Sequence, residues 1–195
     1  MLADEVASTT ERELVVRCQR GDAIAFRQLY QRYQQKVRST LYQLCGREML
    51  DDLVQEVFLR VWKGLPKLRQ PSYFSTWLYR ICWNVAVDGR RQFAKQKREK
   101  IETTTDESNS SPCENLFRVQ DTPDLMQLHY EDLVERGLQS LSLEHRVVLV
   151  LHDLEDISQK EIAQILELPV GTVKSRLHYA RNAIKKFLQQ EGVLL

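Results

Sequence analysis

At 195 residues the chain fits one or two small domains, and 43% hydrophobic with 28% charged residues excludes a wholly disordered or collagen-like protein. Seven Gly and five Pro are too few for the turns of an all-β sandwich or for glycine-rich nucleotide loops, so the expected fold class is all-α. Lys and Arg total 28 against 27 Asp and Glu, so a surface for nucleic acid has to come from local segregation of charge.

From Glu11 to Lys100 apolar residues recur at three- and four-residue steps, with Leu14 and Cys18, then Phe26, Leu29, Tyr30, Tyr33, Val37, Leu41 and Leu44. Gly21 and Asp22 separate the first two helices, and Cys45-Gly46 ends the second. A third is expected from about Glu48 to Gly64, and a fourth from near Ser72, after Pro71, to about Phe93. Between residues 101 and 123 the chain turns polar and acidic, which reads as a linker. Helical periodicity resumes from Asp124 to Leu188 in four pieces, with breaks near Leu141-Ser142, Glu155-Asp156 and Leu168-Pro169. The start lacks the apolar region of a signal peptide, and the longest strongly apolar run, Val147 to Leu151, is far short of a membrane span. A soluble, cytoplasmic protein is therefore expected, with no membrane insertion. Cys18, Cys45, Cys82 and Cys113 lack zinc spacing and read as reduced thiols, and no motif asks for a cofactor or metal.

Three segments carry function. Ser158 and Glu161 form a capping box that opens a short helix, followed after Pro169 by a helix with one narrow apolar stripe: Val173, Leu177, Ala180, Ile184 and Phe187. Residues 170 to 190 hold five bases and no acid, so the pair reads as a helix-turn-helix whose cationic second helix suits a major groove. Thr172, Lys174 and Ser175 lie on its outer side, while Arg176 and Arg181 flank the stripe and point to phosphates. In the segment from Asp51 to Trp62, Leu50, Leu53, Val54, Val57 and Val61 form an inward stripe. Asp51, Asp52, Gln55, Glu56, Phe58 and Trp62 are left on another side, an aromatic and acidic face suited to a protein partner. An outward Phe58 predicts that Phe58→Ala weakens that partner while sparing the fold. In the third segment Leu78, Ile81, Cys82 and Val85 face inward, which turns Arg80, Trp83, Asn84 and Arg91 outward as a surface for an opened nucleic-acid strand.

In this order the three segments resemble the extracytoplasmic-function class of sigma factors, the promoter-recognition subunits of bacterial RNA polymerase. Asp52-Leu53-Val54-Gln55-Glu56-Val57-Phe58 is similar to the family's region 2.2, and Trp77-Leu78-Tyr79-Arg80-Ile81 with Asn84 and Asp88 to regions 2.3 and 2.4. Glu161-Ile162-Ala163 through Pro169 to Leu177 is similar to region 4.2. The resemblance implies a sigma2-like helical bundle over residues 11–98, a flexible acidic linker over 99–123, and a sigma4-like helix-turn-helix domain over 124–190. It implies that Asp51, Asp52, Gln55, Glu56, Phe58 and Trp62 dock on the β′ clamp helices of core RNA polymerase, with a further contact to the β subunit. Arg80, Trp83, Asn84, Asp88 and Arg91 would engage the minus-10 element of promoter DNA and its melted strand. Thr172, Lys174, Ser175, Arg176 and Arg181 would engage the minus-35 element. An anti-sigma factor covering the same surfaces is the family's habit. Gly89 departs from the family, which more often has a larger residue there, as does Tyr179, where a basic one is common. Two other readings remain at this point: a polymerase-independent helix-turn-helix regulator, and a DNA-processing enzyme using Asp51, Asp52 and Glu56.

Overall fold

Helix boundaries follow from side chains that replace missing backbone partners. In the computed structural model, which describes residues 10–103 and 125–193, Thr10 closes a capping box with Glu13 and starts α1, Glu11–Gln19. The Asp22 carboxylate accepts from the amides of Ile24 and Ala25 at the head of α2, Ala23–Cys45. Gly46, at φ 80°, ends it in a backbone region that side chains avoid. Helix α3 spans Leu50–Gly64, and two single turns at Leu65–Lys67 and Pro71–Tyr73 lead into α4, Phe74–Thr103. Gln19 fastens this turn region to α1 by donating to the carbonyls of Leu65 and Leu68 at 3.2 and 2.6 Å.

Helix α4 therefore starts on Phe74, two residues after the expected Ser72, and continues beyond the expected stop at Phe93. No proline or glycine follows Phe93 before Thr103, so nothing in the chain forces an earlier end. Most of the expected linker, from residue 104 to 123, lies outside the described residues, as does Cys113.

The second half contains α5 (Leu125–Ser140), α6 (Leu143–Leu149) running into a π-helical turn at Val150–Leu154, α7 (Gln159–Leu166) and α8 (Val170–Gln190). Ser142 caps α6, and Ser158 with Glu161 forms the expected capping box of α7. Glu167, in a left-handed conformation, and Pro169 make the turn into α8. The expected stripe of α8 is the buried one, with Val173, Leu177 and Ala180 fully inside and Ile184 and Phe187 half-buried.

Buried residues of both halves form a continuous apolar core. In the first half α3 and α4 approach closely at Gly89, where a Cβ would stand 2.6 Å from Leu53 Cδ2. The departure at Gly89 thus falls at a close approach, where a larger residue would have to displace the ends of the Leu53 and Met49 side chains. Polar ties cross between the halves as well. Arg146, only 4% exposed, donates to Leu44 O at the end of α2 (2.8 Å) and to Gln139 O and Leu141 O near the end of α5 (2.9 and 3.1 Å). A cation at two helix C-termini satisfies carbonyls that have no intrahelical partner and meets the negative ends of both dipoles. Burial lowers the Arg146 pKa from its ordinary value.

Candidate nucleic-acid and partner interface

The first face lies on α2 and α3. Asp51, Asp52 and Gln55 are exposed, and Asp51 pairs with Arg38 of α2. Phe58 is not outward as expected: it is 7% exposed, its ring 4.5 Å from that of Tyr30. The reason is that α3 is covered on a second side by α2, whose Phe26 and Tyr30 reach across to Trp62 and Phe58. Trp62 remains 40% exposed and packs edge-on against Phe26 at 4.7 Å. Exposed apolar residues extend this face through Leu59 on α3 and Ile24 and Tyr30 on α2. The α2 contribution was missed in the sequence, where Phe26 and Tyr30 read as ordinary members of an amphipathic pattern. Glu56 joins a network instead of standing free: Arg60 bonds it at 2.7 Å and Asp88 of α4 at 3.0 Å.

The second face lies on α4. Asn84 and Arg91 are exposed, as expected. Trp83 is half-buried against the core, so only part of its ring is available for stacking. Asp88 is held by Arg60 and so links this face to the acidic one. Arg80 is outward only in part: it donates to the Gln164 carbonyl of α7 and pairs with Glu167 at 3.0 Å. Its sequence neighbours gave no sign of partners more than eighty residues away.

The third face is the outer side of α8. Lys174 and Ser175 are exposed and Thr172 half-exposed, beside exposed His178, Tyr179 and Asn182. Asn182 and His178 lie within hydrogen-bond distance at 2.9 Å. Arg176 is anchored by Glu144 at 2.6 Å, and Arg181 by Asp153 through its Nε at 2.9 Å. These hydrogen bonds from Arg181, then those involving His152, hold the Asp153 carboxyl below its ordinary range. The two arginines are thus braced along the edges of α8 while the lysine and the polar groups between them point away from the protein.

Cys18, Cys45 and Cys82 are free thiols. Burial pushes the first two up to about 11 and Cys82 further in the same direction, so all three stay protonated near neutrality. Among the described residues no helix is long and apolar enough to cross a membrane.

Residues 29–98 match the family described as Sigma-70 region 2, and residues 131–184 the family described as Sigma-70, region 4. Two such modules in this order, on an all-helical scaffold, define a sigma factor. The ECF RNA polymerase sigma-E factor of Escherichia coli K12 is 36% identical over 186 residues, covering 92% of this chain and 95% of that protein. The sigma-E factor of Haemophilus influenzae is 34% identical over 182 residues, 92% of this chain and 96% of that one. The chain belongs to the extracytoplasmic-function class of RNA polymerase sigma factors, which are transcription initiation factors and not enzymes. Among solved structures, CnrH in complex with the cytosolic domain of CnrY shares the fold with a TM-score of 0.67 at 24% identity, covering 92% of this chain and 97% of that one. The sigma factor RpoE in complex with the anti-sigma factor NepR from Bartonella quintana gives 0.64 at 21% identity, covering 84% and 96%.

Proposed function

We propose that this sigma factor divides its work among the three faces. The α2–α3 face, with Asp51, Asp52, Gln55, Glu56 and Trp62 around a buried Phe58, docks on the β′ clamp helices, and a further contact is made with the β subunit. On α4, Asn84 and Arg91, with Trp83, Arg80 and Asp88, engage the minus-10 element and hold its melted strand. On α8, Lys174, Ser175 and Thr172 read the minus-35 element, while Arg176 and Arg181 clamp its phosphates. The sequence marked Tyr179 only as a departure from the family; its exposure, with that of His178 and Asn182, adds these three to the reading surface. The domains fall at residues 11–98 and 124–190, joined by an acidic linker. The anti-sigma factor NepR bound to the Bartonella quintana neighbour supports a regulator of the same kind for this chain.

The observation that carries this reading is the segregation of exposed groups. Carboxylates and an aromatic ring stand on α3, bases on α4 and α8, although the whole chain is nearly neutral. Neither basic face is large enough to bind DNA tightly alone, so polymerase joins two weak contacts into one avid one. Run-off transcription tests this. Active core polymerase plus the purified chain initiates at selected promoters, and absence of initiation with a verified core would defeat the proposal.

A further inference from the structure

A line of side chains runs from the head of α6 to the outer side of α8. The Ser142 hydroxyl, which caps α6, lies 2.8 Å from His145 Nδ1. The His145 ring meets Tyr179 of α8 edge-on with centroids 6.4 Å apart, and Tyr179 meets His178 in the same way at 5.8 Å. Edge contacts at such separations are favourable, so His178 is steadied from α6 as well as by its own helix. Its Nε2 in turn lies 2.9 Å from Asn182 Nδ2. Lys174, His178 and Asn182 follow one another at four-residue steps and are all exposed, so they share the face that meets DNA in the proposed reading.

The bond between His178 and Asn182 decides which way round an amide stands. A neutral imidazole with its proton on Nδ1 offers Nε2 as an acceptor, and Asn182 Nδ2 donates one hydrogen to it. That leaves the second amide hydrogen, on the side of Oδ1, and Oδ1 itself as an adjacent donor and acceptor. Adenine shows the complement in the major groove, N7 accepting and N6 donating, whereas guanine shows two acceptors.

We propose that His178 and Asn182 form one reading unit that selects adenine at a single position of the minus-35 element, with Asn182 touching the base and His178 as its positioning residue. This rests on the assignment of α8 to that element. A bond that only braced the helix would weaken binding to all sequences alike when lost.

The test uses the full chain with active core polymerase, in run-off transcription from promoters whose minus-35 positions are varied one at a time through all base pairs. Wild type is expected to favour an A·T pair at one position by about 10-fold. Asn182→Ala should remove that preference and leave the other positions as they were. His178→Ala should remove it at the same position, and the double variant should lose no more than either alone. His178→Gln, whose Oε1 accepts in place of Nε2, should retain it. His178→Lys, which only donates, draws Oδ1 and turns the amide over, so the preference should vanish although a positive charge is added. Both positions are exposed, and urea midpoints near that of wild type show that the variants are folded. A preference that survives Asn182→Ala or His178→Lys, a base other than adenine at the position both residues control, additive losses at two positions, or a uniform loss at every position would each overturn the reading unit. A wild-type chain that fails with verified core, or initiates whatever the minus-35 sequence, overturns the assignment of α8 itself.

Discussion

Phe58 and Trp62 differ by one helical turn and do different work. Phe58 is enclosed by α2 and α3, so its truncation leaves a cavity, and Phe58→Ala should cost about 3–5 kcal/mol. A urea midpoint shifted to match is the expected result, and an unshifted midpoint would return Phe58 to the surface. Trp62, at 40% exposure, keeps one side of its ring free. Trp62→Ala should leave the midpoint nearly in place and reduce affinity for core polymerase by about 10-fold or more, as a buried interface aromatic does; titration of labelled protein with core reads this directly. Arg146 belongs to the same scale as a structural cation. Its three carbonyl partners come from two helices and the turn that follows α5, so one side chain settles where α2 ends against α5 and α6.

At the scale of the element, α8 is positioned by what braces its edges. Arg181 spans from α8 to Asp153 in the π turn, and Arg176 to Glu144 in α6. The Asp153 carboxyl has a folded pKa below its ordinary value of 3.8, so the unfolded chain takes up the proton first. The stabilisation from this tie is therefore complete above that ordinary value and disappears as pH falls through the lower, folded one. Both side chains are partly exposed, which limits it to about 1 kcal/mol or less. Asp153→Asn should accordingly be less stable than wild type near neutrality, and the difference should narrow at an acidic pH below the ordinary carboxylate value of 3.8. Urea denaturation at the two pH values checks this, and a gap that persists in acid would contradict the ion pair as its source.

For the whole molecule, the proposed division of promoter contacts between α4 and α8 makes promoter geometry a property of the assembly. With polymerase fixing the two modules, initiation should depend on the spacing between the two elements. A change of about five base pairs, half a helical turn, rotates one element to the far side of the duplex and should reduce run-off product by an order of magnitude or more. Product that tolerates the change would mean that one module suffices.

The amino-acid sequence by itself determined what depends on neighbours a few residues apart: the cap at Ser158, the break at Gly21-Asp22, the helix pair at the C-terminus, the inward stripe of α3, and the cationic outer side of α8. These are legible because a helix repeats every 3.6 residues and its ends need nearby polar groups. Only the tertiary structure decided how many sides of a helix are covered, which is why Phe58 is inside. It alone also showed that Gly89 lies against the Leu53 side chain of α3, and that Arg80, Arg146 and Glu155 find partners across the chain. Periodicity reports one apolar stripe per helix, but a partner 76 or 115 residues away, as for Glu155, leaves no mark on the local pattern. Such pairs exist because burial makes an unpaired polar group costly, and the fold places whichever partner lies within reach.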